Sequence, residues 1–439
     1  MISISFCFLN IPLRKINNYD IISYRRWRKM KITEKEYTMK RGGNLDIPDG
    51  IIYVFEEIDG CNFPFQLYIP NKINENPDVI VASRTPRLKS KLNFEEIVSD
   101  AAYSYNPNRK EFIPNGPNPI GRLLSYNLGN ICLMPVIPRA IGIEAPYLSY
   151  KVYNNIFDEA YDAIDKKESR ITKDDVEKFR DLHLQVEKMI KIAIKYLKEK
   201  NINVNERVIM TGFSAAAKFS IFFSALHPSL VKGIIAGGTG GNNIIPDKNL
   251  NLTYPLGVSD IQNFDFESFS QIPQFYFIGD TDYNDLTKFK TNYELLPEEE
   301  REENKSPYVK DVCGNKIPKR NDGIKAYHDE ERNGKIVHIQ EDIPFDKLDF
   351  DLDENGDYQL AFDGGYYTLE QVKYIIENIG HNPQIRFDKM KLYYDELGIN
   401  SIFKKYPGDH NSVFENDNLY EDITNFYNSL CKEKNVKQI

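Results

Sequence analysis

Ser214, Asp282 and His410 are the residues on which a chemical reading of this chain turns. A serine hydroxyl becomes a nucleophile when a base takes its proton, and an imidazole serves as that base when a carboxylate fixes its tautomer. Ser214 stands in Gly212-Phe213-Ser214-Ala215-Ala216, after the apolar run Val208-Ile209-Met210. Beyond it Phe219, Phe222, Phe223 and Leu226 recur at helical spacing until Pro228 ends the helix. A strand, a small-residue turn centred on serine and a helix make a nucleophile elbow. Strand and helix cross so closely there that the residues two before and two after the serine must be small. Gly212 and Ala216 meet that demand, although glycine is commoner in the second place. Ser214 is the candidate nucleophile, and the backbone N–H of Ala215 is a candidate oxyanion donor.

The acid is expected at the end of the next strand but one, where Phe277-Ile278-Gly279-Asp280-Thr281-Asp282 stands. The usual offset of three residues from the glycine selects Asp282, with Asp280 and Asp285 as competitors. Six histidines compete for the base. His183 falls in a charged helix, and His227 ends the elbow helix, where it can cap carbonyls. His328 and His338 fall in polar sequence, and His381 sits in a turn-like Gly-His-Asn-Pro stretch. His410, in Tyr406-Pro407-Gly408-Asp409-His410-Asn411, follows a strand and precedes the last helix, the place from which a loop can hold imidazole over a serine. The second oxyanion donor should come from the loop after the strand at 78–83. That loop reads Ser83-Arg84-Thr85-Pro86, so a backbone N–H of Ser83 or Arg84 is the candidate. The Arg84 side chain would alternatively meet a substrate carboxylate or a local acid.

The elements that must position these residues alternate between strand and helix. Ile51–Phe55 and Phe65–Ile69 read as a hairpin at a sheet edge, turning at Asp59-Gly60. Asp78–Ser83 and Ile131–Ile137 are short apolar strands, with Pro135 at a strand end or bulge. Residues 173–199 are expected as one long amphipathic helix opened by Thr172 and Asp175 as a capping box. Val231–Ala236 and Phe275–Ile278 are strands. After residue 287 the composition turns polar, and the strand–helix rhythm returns with a helix near 384–397, a strand at 401–406 and a helix near 418–432. Residues 291–383 are thus expected as an insertion serving as lid, homo-oligomer arm or flap. Within it, Asp351-Leu-Asp353-Glu-Asn355-Gly356 begins like a calcium loop, but Phe362 stands where the bidentate carboxylate belongs. Asn355-Gly356 reads equally well as a hairpin turn.

With 439 residues, 41% apolar and 28% charged, the chain can bury a large core. A net charge of −9 argues against a nucleic-acid surface. Five scattered cysteines suit neither a disulfide framework nor a metal site, which predicts a reducing, cytoplasmic compartment. No apolar run approaches the roughly 18 residues a membrane span needs. The N-terminus has its basic cluster, Arg25-Arg26-Trp27-Arg28-Lys29, on the wrong side for a signal peptide. Met30 or Met39 as start would make residues 1–38 an upstream extension.

The elbow and the order Ser214, Asp282, His410 give the chain a resemblance to the α/β-hydrolase superfamily over roughly 46–290 and 384–439. It most resembles bacterial serine esterase-like hydrolases with a Gly-Phe-Ser-Ala elbow, then Leu226-His227-Pro228 and Gly237-Gly238. The resemblance implies an α/β fold with a mainly parallel central sheet flanked by helices and a polar insertion before the last helix-strand-helix unit. The corresponding division is an extension at 1–45, core at 46–290, insertion at 291–383 and core again at 384–439. It implies hydrolysis of a carboxylic ester through an acyl-enzyme, on a small-molecule ester or short peptide, without metal or organic cofactor. Ala216 and the missing His-Gly oxyanion loop depart from that pattern. A peptidase of the same fold, or a non-catalytic binding and assembly protein, are the other functions such a chain could have.

Overall fold

The computed structural model describes residues 31–37, 50–56, 58–82, 103–106, 111–114, 117–137, 172–282, 308–310, 314, 316–320, 323–332, 335–344, 350–352, 358–360, 367–380 and 383–432. The strands are β1 (Ile32–Tyr37), β2 (Gly50–Phe55), β3 (Phe65–Pro70), β4 (Val79–Ala82), β5 (Tyr103–Asn106), β6 (Glu111–Pro114), β7 (Ile131–Pro135), β8 (Val208–Phe213), β9 (Val231–Gly237) and β10 (Gln274–Gly279). They continue as β11 (Tyr308–Lys310), β12 (Lys316–Arg320), β13 (Gly323–Arg332), β14 (Lys335–Pro344), β15 (Phe350–Leu352), β16 (Tyr358–Leu360) and β17 (Ser401–Tyr406). The helices used below are α1 (Leu182–Glu199), α2 (Ala215–Leu226), α3 (Leu369–Tyr374), α4 (Pro383–Glu396) and α5 (Asp417–Lys432).

Nine strands form one mainly parallel sheet in the order β1-β2-β3-β7-β4-β8-β9-β10-β17. From β1 to β7 the neighbours pair antiparallel, and β4 runs parallel to both β7 and β8. Strands β4, β7 and β10 are buried along their whole length, as parallel strands covered on both faces must be. With helices on its faces, this is the α/β architecture with a mainly parallel central sheet expected from the sequence. One detail differs. The hairpin β2–β3 is not the edge, because β1 pairs alongside β2 from Ile32↔Phe55 to Tyr37↔Gly50. At the other end the partly exposed β17 carries Lys404 and Lys405, charges that discourage pairing with another chain.

By internal contacts the chain divides into two compact units, the first holding residues 1–236, 263–275 and 420–439, the second 237–262 and 276–419. In the first unit α1 buries Leu182, Val186, Met189, Ile190, Ala193 and Leu197. Tyr196 sets its ring edge-on against Tyr53 at 5.3 Å and Phe55 at 5.2 Å. The single helix expected over 173–199 is broken. The Thr172–Asp175 capping box forms, but that helix ends at Glu177 and Asp181 takes φ 52° before α1 begins. Gln185 Nε2 donates to the carbonyls of Lys178 and Arg180 that the break exposes. Below the strand starts, buried Asp78 accepts from Lys232 Nζ at 2.6 Å and from Asn205 Nδ2. The Tyr427 hydroxyl lies 3.2 Å from Asp78 and 2.9 Å from Asn130 Oδ1, and burial with the Asp78 charge pushes its phenol up.

In the second unit Tyr276, Phe387, Tyr394 and Phe403 interlock, with Tyr394 and Phe403 edge to face at 5.5 Å. The Tyr394 hydroxyl donates to Ile244 O at 2.8 Å, and Gln371 of α3 donates to Thr253 O at 2.9 Å. The polar region holds a six-stranded sheet ordered β14-β13-β12-β11-β16-β15. Its β15 and β16 pair antiparallel with Leu352 opposite Tyr358, the register of a hairpin. The turn between them, which carries the calcium-like Asp353 and Asn355, lies outside the described residues.

Candidate active site

Ser214 joins β8 to α2 with φ 58° and ψ −125°. That backbone region is costly for a residue with a Cβ, by roughly 1–3 kcal/mol, and persists only where the surroundings impose it. The surroundings here are main chain. At Gly212 an added methyl would stand 2.5 Å from Ala217 N and closer still to the Ala216 carbonyl. The Ser214 carbonyl accepts from Ala217 N at 3.0 Å, so the helix starts at the serine itself. The Ser214 hydroxyl makes no capping bond to that helix and is half-buried. Ala215 is the first helical residue, so its N–H is one of the donors that no intrahelical carbonyl can satisfy. It points from the positive end of twelve aligned peptide dipoles. Beneath the turn, Thr211 Oγ1 donates to Val81 O at 3.1 Å and Ser220 Oγ lies 2.9 Å from Thr211 O, tying helix to strand.

Asp282 and His410 belong to the other unit, and there they meet. His410 Nδ1–H donates to Asp282 Oδ2 at 2.8 Å across 128 positions of sequence. The carboxylate is 0% exposed and the imidazole 13%, so the bond is formed away from water and the ring keeps one open side. Both turns are laced together by main chain. Asp280 N–H donates to Tyr406 O at 2.8 Å and Thr281 N–H to Gly408 O at 3.1 Å, while Asp280 Oδ1 accepts from Gly408 N–H at 3.0 Å. Asp280 thus holds the histidine loop by its backbone, and Asp282 holds the ring. Gly408 takes φ 123°, a conformation that favours glycine. Asp409 Oδ1 accepts from the N–H groups of Asn411 and Ser412, which closes the loop around His410.

Gln384 was not visible as a site residue from sequence. It stands in the first turn of α4, and its Nε2 donates to Gly279 O at 2.7 Å and Asp282 O at 2.9 Å, fixing the turn that presents the acid. Nothing in its Pro-Gln-Ile-Arg context signals that bond.

The remaining candidates divide by place. Ser83, Arg84, Asp285 and His381 lie outside the described residues. His328 and His338 fall in β13 and β14. His183 Nδ1 and His227 Nε2 lie 2.9 Å apart, sharing one hydrogen bond between the start of α1 and the end of α2. Burial, and then the neighbouring His227, push His183 down to about 4, and burial likewise lowers His227. Among the described residues, no group of three or more His, Cys, Asp and Glu could hold a metal ion, and no helix is long and apolar enough to cross a membrane.

No family model matches the chain, and no curated protein matches it. Among solved structures it is similar to poly(aspartic acid) hydrolase-1 from Sphingomonas sp. KT-1, at 11% identity and TM-score 0.40 over 90% of this chain and 99% of that one. An S-formylglutathione hydrolase from Agrobacterium tumefaciens is 12% identical at TM-score 0.29, over 56% of this chain and 80% of its own. A glucuronoyl esterase from Solibacter usitatus is 12% identical at TM-score 0.27, over 57% and 69%.

Proposed function

We propose that this chain is a serine hydrolase that cleaves a carboxylic ester through an acyl-enzyme on Ser214. The observation that carries the reading is the buried Asp282 carboxylate bonded at 2.8 Å to His410 Nδ1. That bond fixes the tautomer in which Nε2 carries the free lone pair. Nε2 then accepts the Ser214 proton as Oγ attacks the ester carbonyl, and the resulting imidazolium is stabilised by Asp282. The Ala215 N–H and a backbone N–H of Ser83 or Arg84 stabilise the oxyanion. Collapse of the tetrahedral intermediate breaks the bond to the alcohol oxygen, which takes the proton from Nε2. Water then repeats the sequence on the acyl-enzyme and releases the acid. The strained Ser214 backbone at the start of α2 supports the reading, since strain of that kind is kept where it presents a reacting atom.

Labelling with a fluorophosphonate tests this without a known substrate, because the probe traps an activated serine. Wild type should label at Ser214, Ser214→Ala and His410→Ala should not, and Asp282→Asn should label slower by roughly 10⁴-fold. Labelled wild type that releases acid from short esters fits the esterase, and labelled wild type that cleaves only amide bonds fits the peptidase. Folded wild type that does not label overturns the mechanism and leaves the non-catalytic binding protein.

A further inference from the structure

Cys431 stands in the last turn of α5, and its partly exposed side chain lines a cavity of about 560 Å³ together with Asp78, Asn205 and Lys232. Every residue lining that cavity belongs to the first unit. Lys232, the second residue of β9, reaches into the same place. Its Nζ lies 3.9 Å from Cys431 Sγ and 2.6 Å from Asp78 Oδ2, on a side chain 10% exposed. The Tyr427 ring, one turn before Cys431, lies 5.9 Å from the same Nζ. A thiol, an ammonium, a carboxylate and a phenol thus share one corner, and the ester chemistry at Ser214 uses none of them.

The other described thiols are placed differently. Cys132 is 0% exposed in β7, and burial holds its thiol well above the usual range. Burial pushes Cys61 up to about 11, against the pull of Lys188. Thiols held so high are poor nucleophiles. Cys431 combines access from the cavity with an amine at contact distance. Asp78 offsets the charge of Lys232, so what the lysine offers the sulfur is chiefly its nitrogen. Asp78 in turn offers that nitrogen a place for its proton. The surroundings suit a protonated Asp78, whose Oδ2 would donate to the Tyr427 oxygen 3.2 Å away while the phenol donates to Asn130 Oδ1 at 2.9 Å.

We propose that Cys431 and Lys232 form a covalent sulfenamide bridge between α5 and β9 on exposure to a peroxide, and that thiols reverse it. Cys431 sulfur attacks the peroxide, an S–O bond forms as the O–O bond breaks, and the thiol proton leaves with the departing oxygen as water. Lys232 passes one proton to Asp78 and its free amine attacks the sulfenic sulfur. The S–N bond forms as the S–O bond breaks, and the hydroxide takes a second proton from the nitrogen as a second water. The sulfur has lost two electrons and the peroxide has gained them. Asp78 ends as a neutral acid, so no unpaired charge is left in the buried corner. The flexible four-carbon stem of lysine closes the 3.9 Å gap. The bridge spans 199 positions of sequence and ties the last helix to the sheet. A thiol attacking the sulfur releases the amine, which recovers its proton from Asp78, and a second thiol restores Cys431.

Peptide mapping tests the bridge. Wild type treated with hydrogen peroxide, unfolded in iodoacetamide and digested should yield a joined peptide carrying residues 232 and 431, lighter than the sum of its parts by two hydrogens. Dithiothreitol before alkylation should abolish that peptide, and Cys431→Ser should never give it. Lys232→Arg keeps a cation on Asp78 but removes the amine, so Cys431 should accumulate there as a sulfenic acid that dimedone captures. Dimedone capture in wild type as complete as in Lys232→Arg, with no joined peptide, overturns the proposal. So does Cys431 recovered as a thiol after the peroxide treatment, or Lys232 joined to a different cysteine. If Lys232→Arg does not fold, the wild-type peptide and its loss in Cys431→Ser still decide.

Discussion

Gly212→Ala puts the elbow under a defined load. The new methyl would stand 2.5 Å from Ala217 N and nearer to the Ala216 carbonyl, all of them main-chain atoms that cannot rotate away. Comfortable separation for such atoms is about 3.5 Å, so strand and helix must part by about 1 Å. Ser214 is the joint between them, and it moves by a similar amount. A displacement of about 1 Å at a reacting atom costs roughly 100-fold in rate, and over-packing of this kind costs about 1–3 kcal/mol. Two assays read the two consequences. The fluorophosphonate labelling rate of Gly212→Ala should fall roughly 100-fold, and its urea midpoint should drop. Labelling within twofold of wild type at an unchanged midpoint would refute the argument that backbone crowding at Gly212 sets the position of the serine.

Two further outcomes follow from the first unit. Since burial lowers both His183 and His227, the unfolded chain binds more protons than the folded one between pH about 6.5 and the His183 value of about 4. Stability is full above that window and falls as pH drops through it, by about 1–2 kcal/mol once partial exposure is discounted. His183→Leu should flatten the slope of the urea midpoint against pH, and an unchanged slope would rule the pair out as its source. Lys232→Met strands the Asp78 carboxylate, whose side chain is 2% exposed, and should destabilise by about 3–5 kcal/mol. Adding Asp78→Asn should restore part of that in denaturant titrations. A neutral Lys232→Met, or no recovery in the double variant, would show that the pair carries no stability.

What could be read from the sequence was whatever local pattern and chain order encode. The elbow announces itself because apolar strand, small turn and aromatic helix are contiguous from Val208 to Leu226. Asp282 could be placed on a strand end because it follows an apolar run closed by glycine, and His410 because its loop stands between a strand and the last helix. Contacts between distant positions were not legible. The amide of Gln384 reaches a turn 102 residues earlier, and His183 finds His227 across 44 residues. The break at Asp181 was hidden because Val176, Phe179 and Leu182 keep helical spacing through it, and all three are buried regardless. β1 was missed because Ile-Thr-Glu-Lys-Glu-Tyr is too polar to read as a strand, which an edge position tolerates.

The lacing of residues 279–282 with 406–412 has a consequence for recombination. A side chain at Gly279 would stand 2.8 Å from Asp409 O and 2.9 Å from Gly408 C, so neither turn can change shape while the other keeps its own. The two stretches, far apart in the chain, act as one part. A chimera that imports the carboxylate turn from another sequence without its histidine loop receives two halves of different clasps.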